Sequence, residues 1–154
     1  MIPHETSDSE YPRRRFLQGA LAVAAIPPLC CTSQRLSPSS FKIETGKITV
    51  NLATAPELQT TGAAFAIVDP DHGVNLILIH KDHGRYVAID RTCTHGGAQC
   101  TYNPKRQTLQ CTSLNHAEYD LDGTLLHGRK HGNLRSYAAL RSGSAVVISL
   151  GTKA

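Results

Sequence analysis

From Phe41 onward the sequence is cut into short apolar runs by closely spaced turn signals, and that punctuation favours strands over helices. Asp69-Pro70-Asp71-His72-Gly73, Asp82-His83-Gly84, Asn103-Pro104, Asp122-Gly123 and Ser142-Gly143 supply the fixed or left-handed φ values that chain reversal needs. Between them lie Lys47 to Leu52, Ala64 to Val68, Val74 to His80, Arg85 to Asp90, Thr108 to Cys111 and Ala145 to Leu150, all with strand composition. No convincing helix pattern follows residue 40. In Asn75-Leu76-Ile77-Leu78-Ile79 both side-chain parities are mostly apolar, so this strand is expected to be covered on both faces. An all-β antiparallel sandwich of stacked sheets follows.

The 154 residues amount to about one domain, and 40% hydrophobic content is too high for a disordered chain. A net charge of +4 comes without a clustered basic stripe, which argues against a nucleic-acid partner. Residues 1–31 read as an export segment. Arg13-Arg14-Arg15-Phe16-Leu17 leads into a short apolar run from Ala20 to Leu29, broken by Pro27 and Pro28, and resembles a twin-arginine signal. That implies a periplasmic or extracytoplasmic destination and transport of an already folded chain, with the segment either cleaved or kept as a membrane attachment. Cys30 and Cys31 sit where a lipidated cysteine would stand, but the residues before them match a lipobox poorly. Residues 32–40 are rich in Ser and Thr and are expected to be a linker, with the domain spanning 41–151.

Five cysteines and eight histidines in a chain of this size ask for a metal or redox reading. Four of them fall in two paired groups, Cys93-Thr94-His95 and Cys111-Thr112-Ser113-Leu114-Asn115-His116, with 15 residues between His95 and Cys111. Two thiols and two imidazoles delivered from two loops suit zinc or an iron–sulfur centre. Each loop gives one Cys and one His, as a cluster with thiolates on one iron and imidazoles on the other requires.

This pattern resembles the Rieske [2Fe–2S] proteins. The likeness extends from the first loop into Tyr102-Asn103-Pro104, and from the second into Tyr119-Asp120, Gly123, Leu125-Leu126, Gly128, Leu134 and Tyr137. It implies a small cluster-binding subdomain within about 91–131, holding a [2Fe–2S] cluster on Cys93, His95, Cys111 and His116. By the resemblance, the cysteines hold the inner iron and the histidines the outer, redox-active one, with proton and electron uptake coupled through the imidazoles.

The sequence departs from the family at this site. The second loop is usually C-x-x-H, whereas His116 lies five residues after Cys111, so His116 is the least secure ligand. The disulfide that braces the loops in many relatives has no counterpart, because Ala98 and Thr112 or Ser113 stand at its positions. Cys100 then reads as a small core hydrophobe rather than a fifth ligand. Glu118 replaces a tuning serine and Tyr119 is one residue out of step with the histidine, so a potential in the lower half of the family's range is expected. Gly128-Arg129-Lys130-His131 takes the place of the covering loop, where His127 and His131 are candidates for partner docking.

No nucleotide fingerprint and no second domain accompany the loops, so an electron carrier or redox subunit is expected rather than an enzyme with its own pocket. By resemblance to the small Rieske subunits of arsenite oxidase and of cytochrome bc-type complexes, its partners would be a quinol or larger oxidoreductase subunit as donor and a cytochrome or cupredoxin as acceptor. The alternative from another class is a Rieske-fold binding module that holds zinc or no cluster.

Overall fold

A computed structural model describes residues 33–114, 116–128 and 132–151. Residues 1–31, read above as an export segment with Cys30 and Cys31, and Arg129, Lys130 and His131, read as replacing the covering loop, lie outside the described residues. In chain order the strands are β1 (Gln34–Arg35), β2 (Phe41–Glu44), β3 (Lys47–Asn51), β4 (Ala64–Asp69), β5 (Val74–Asp82), β6 (Arg85–Asp90), β7 (Cys100–Asn103), β8 (Thr108–Cys111), β9 (Glu118–Tyr119), β10 (Leu125–His127), β11 (Ser136–Ser142) and β12 (Ala145–Ser149). The helical elements among the described residues are two short 3-10 turns, Pro38–Ser40 and Pro56–Gln59, each opened by a proline whose fixed φ suits a first helical position. The all-β class is therefore as expected.

Eight strands form one sheet in the order β1-β4-β5-β6-β11-β12-β3-β2, and four form a second, β10-β9-β8-β7. All pairings are antiparallel except that of β1 with β4. The large sheet curls so that Ile48, Val50, Val146 and Ile148 from one half share a core with Ile67, Leu76, Leu78 and Ala88 from the other. A second core joins Ile77, Ile79 and Ile89 to Cys93, Cys100, Leu109, Cys111, Tyr119 and Leu134. The strand β5 thus sends alternate side chains into two cores, Leu76 and Leu78 on one face and Ile77 and Ile79 on the other, because its side-chain period is two. This is the two-faced strand its sequence foretold, and it forms the floor on which the small sheet sits.

One expectation needs correction. Residues 34–40 belong to the fold rather than to a linker: Gln34 and Arg35 pair with Phe65 and Ala66, the Leu36 N–H donates to the Ala66 carbonyl at 2.8 Å, and Leu36 is buried in the first core. A single apolar residue in a run of Ser and Thr carries this docking, too little for a composition argument to register.

Candidate metal centre

The site lies at the end of the small sheet, where the segment joining β6 to β7 and the segment joining β8 to β9 meet. The first loop is closed by its own backbone: the Cys93 N–H donates to the Ala98 carbonyl at 2.7 Å, and the Gly97 N–H returns to the Cys93 carbonyl at 3.0 Å. Gly97 has φ of 71°, which suits a residue without a Cβ. In the second loop the Cys111 N–H donates to the Ala117 carbonyl at 2.8 Å and the His116 N–H to the Ser113 carbonyl at 3.1 Å.

Thr112 ties the loops together, its N–H and its hydroxyl both donating to the Gln99 carbonyl at 3.0 and 2.9 Å. This double hydrogen bond joins the two loops beside the positions where relatives place their bracing disulfide. Asn75 supports the same seam from β5, its amide donating to Thr92 Oγ1 at 3.1 Å and to Gln99 Oε1 at 3.0 Å.

Three of the four expected ligands converge. Cys93 and Cys111 are buried, and the half-buried His95 places Nδ1 2.7 Å from the Cys93 sulfur and 3.9 Å from the Cys111 sulfur. His116 stands apart from them. It is exposed, its backbone is left-handed at φ 41°, and its imidazole makes no hydrogen bond, ion pair or ring contact with another described residue. This left-handed residue falls in a second loop that carries two residues more than C-x-x-H before its histidine, and the chain then re-enters the sheet at β9 with Tyr119 opposite Leu109.

That re-entry corrects the reading of Tyr119 as out of step. Its hydroxyl lies 3.3 Å from the Cys93 sulfur and 3.3 Å from the Thr94 hydroxyl, and Thr94 in turn donates to the Gly132 carbonyl at 2.8 Å. Ser113, which the sequence reading passed over as a functional residue, is a second hydroxyl at the site, 3.1 Å from the Cys111 sulfur and 2.9 Å from His95 Nε2. The signal for it was available in principle: a serine two residues past a ligand cysteine in a tight loop falls close to that sulfur. Glu118, in place of the tuning serine, turns away to accept the Thr108 hydroxyl at 2.6 Å and pair with Arg106 at 3.0 Å.

Cys100 is the other addition. It stands directly opposite Cys111 across β7 and β8, and the sulfurs of Cys93, Cys100 and Cys111 all lie within 4.8 Å of one another. Burial, followed by the neighbouring Cys93 and Cys111 sulfurs, pushes the Cys100 thiol far above its ordinary range. For Cys93, burial acts upward too. Hydrogen bonds from the Tyr119 hydroxyl, the His95 backbone N–H, the Cys111 thiol and the His95 ring overcome it and bring Cys93 down to about 7. The partner effect lifts Tyr119, whose burial and bond to Cys93 raise its phenol to about 12.

The Rieske [2Fe–2S] domain family matches residues 42–138, a span that contains both loops and most of the two sheets. The chain belongs to the Rieske [2Fe–2S] family. Among solved structures, it is similar to the cyanobacterial plasma membrane Rieske protein PetC3 from Synechocystis PCC 6803, at 21% identity over 68% of this chain and 87% of that one, with a TM-score of 0.46. It is similar to the ferredoxin of carbazole 1,9a-dioxygenase from Nocardioides aromaticivorans IC177, at 17% identity over 62% of this chain and 93% of that one, TM-score 0.49. A quaternary ammonium Rieske monooxygenase that oxidises carnitine shares the fold at 17% identity and TM-score 0.51, the match covering 65% of this chain and 30% of that one. No curated protein sequence matches the chain.

The donor set fits the family's cofactor. Two buried thiols on facing loops, one with its pKa brought to about 7, and an imidazole whose Nδ1 faces both sulfurs are soft and borderline ligands of the kind an iron–sulfur centre takes. As a Rieske domain, the protein binds a [2Fe–2S] cluster.

Proposed function

We propose that this Rieske protein is a one-electron relay on the extracytoplasmic side, taking electrons from a quinol or a larger oxidoreductase subunit and passing them to a cytochrome or cupredoxin. The observation that carries the reading is the convergence of Cys93, His95 and Cys111 at the meeting of two loops, inside a family whose domain holds [2Fe–2S]. Cys93 and Cys111 would hold the inner iron, and His95 with His116 the outer one. When bound, such a cluster accepts one electron readily because two imidazoles in place of two thiolates leave the oxidised centre uncharged.

The chain's own residues set the terms of that transfer. Tyr119 and Ser113 aim hydroxyls at the two ligand sulfurs and favour the more electron-rich state. Ser113 also meets the outer nitrogen of His95, where it can hold or accept a proton. The exposed side of His95 and His116 faces the surface a partner would approach. The twin-arginine-like segment at 1–31 supports export of the loaded protein, with that segment as signal or membrane attachment.

The test is electron paramagnetic resonance of the dithionite-reduced protein, with iron counted on the same sample. A rhombic signal with average g below the free-electron value, from about two irons per chain, supports the reading. A sample without iron refutes it. Loss of the signal in His116→Ala, with iron lost as well, would assign the fourth ligand.

A further inference from the structure

Cys100 has no place in a [2Fe–2S] centre that takes two thiolates on one iron and two imidazoles on the other. Yet the sulfurs of Cys93, Cys100 and Cys111 all lie within 4.8 Å of one another, and all three side chains are buried together. A fourth donor, His95 Nδ1, stands 2.7 and 3.9 Å from two of these sulfurs. Four tetrahedral ligands around one zinc, with bonds of about 2.3 Å to sulfur and about 2.0 Å to nitrogen, put neighbouring sulfurs roughly 3.8 Å apart and sulfur to nitrogen roughly 3.5 Å apart. The three sulfurs lie within reach of one such ion, and His95 Nδ1 adjoins two of them, so a small shift of the His95 ring completes the set without His116.

The geometry points to a second occupancy of this pocket: a single thiophilic divalent cation, zinc by preference, held by Cys93, Cys100, Cys111 and His95. Three of these four donors are also cluster ligands, so zinc and the [2Fe–2S] centre exclude one another, and a chain that takes zinc before cluster insertion is closed to it. A dication deprotonates the thiols it binds outright, so the raised pKa of Cys100 is no barrier, and binding releases protons to solvent. The ligands come from two loops and from the strand β7 beneath them. Zinc would therefore fasten the small sheet to the loops as a structural site, closed to exchange with water.

The test uses the full chain purified free of metal and titrated with cobalt, a spectroscopic stand-in for zinc, followed by displacement with zinc. The expected result is one cobalt per chain, with tetrahedral d–d bands and a sulfur-to-cobalt charge-transfer band of the intensity of three thiolates. Cys100→Ser should lower that intensity to two thiolates and weaken cobalt binding about a hundredfold or more, beyond what an outer-shell partner contributes. Cys100→Ala is the second variant, and far-ultraviolet circular dichroism checks that each has kept the fold. His116→Ala should keep the three-thiolate cobalt spectrum. Two-thiolate intensity in the unaltered chain, or equal cobalt affinity in both Cys100 variants, would overturn the proposal. Cobalt binding in a protein that never loads iron would leave this inference standing and defeat the electron relay. Iron loading with no cobalt binding would do the reverse.

Discussion

The phenol oxygen of Tyr119 lies 3.3 Å from the sulfur of Cys93, so the aromatic ring at the base of the second loop reaches across to the first. A hydrogen bond to a charged acceptor contributes about 1.5–3 kcal/mol, and only the part that differs between oxidation states moves a potential. A differential of about 1 kcal/mol corresponds to roughly 40 mV for one electron. Tyr119→Phe is therefore expected to lower the midpoint potential by some tens of millivolts, as is Ser113→Ala at the other sulfur, with the fold kept. Protein-film voltammetry reads both. An unchanged potential in both variants would remove the two hydroxyls from the account of tuning.

In the metal-free protein Cys93 titrates near 7, against an ordinary thiol value of about 8.5 in the unfolded chain. A depressed folded value means that the unfolded state binds more protons between the two values, so stability rises with pH there. The contribution is full above the unfolded value and is lost as pH falls through about 7. Urea midpoints of the metal-free chain should be higher at pH 9 than at pH 6, and Cys93→Ser should flatten that difference. A midpoint independent of pH in the unaltered chain would contradict the hydrogen bonds assigned to this thiol.

Much of this architecture is legible from residues alone, and the misses share a physical cause. Val74 to His80 and Ala145 to Leu150 announce themselves because dense β-branched residues lie between strong turn signals, and β5 and β12 fall there. β11 is quieter. Its Leu140 is exposed and its buried-facing positions are small or polar-flanked, so no alternation stands out. At the site, Cys93, His95 and Cys111 were legible from spacing, whereas Tyr119 and Ser113 depend on how a loop two residues longer than C-x-x-H is folded. The left-handed backbone in that loop falls at His116, and a sequence gives no sign of which position will take it. Cys100 was legible as buried, but its closeness to the other thiols follows from the pairing of β7 with β8, a register fact.

Gly123 has φ of 87° and its carbonyl accepts the Leu134 N–H at 2.8 Å, which holds the chain at Leu134 against the small sheet. A Cβ at this position would run into the Leu134 carbonyl. Gly46 has a similar φ of 76° with open space around it. Gly46→Ala should cost about 1 kcal/mol from backbone conformation alone, and Gly123→Ala at least about 3 kcal/mol from the added clash. Thermal melts of the two variants separate the contributions. Equal losses would mean that the close approach yields at no cost.

Thr112→Val removes one of the two hydrogen bonds from the second loop to the Gln99 carbonyl and preserves shape. The expected loss of global stability is modest, about 1 kcal/mol. Opening of the loops should be easier, so release of iron to a chelator should be faster in Thr112→Val. Unaltered release kinetics would show that the loops are held elsewhere.

Because Ile77, Ile79 and Ile89 of the large sheet line the core beneath the cysteines, the segment from Arg91 to Leu134 carries the ligands but not the ground they stand on. Transplanted alone into another scaffold, it would bring two loops and a four-stranded sheet with one greasy face open to solvent. The portable unit is larger than the motif. Any recombination or engineering that moves this centre must carry β5 and β6 along, and those strands bring the first core with them through Leu76, Leu78 and Ala88.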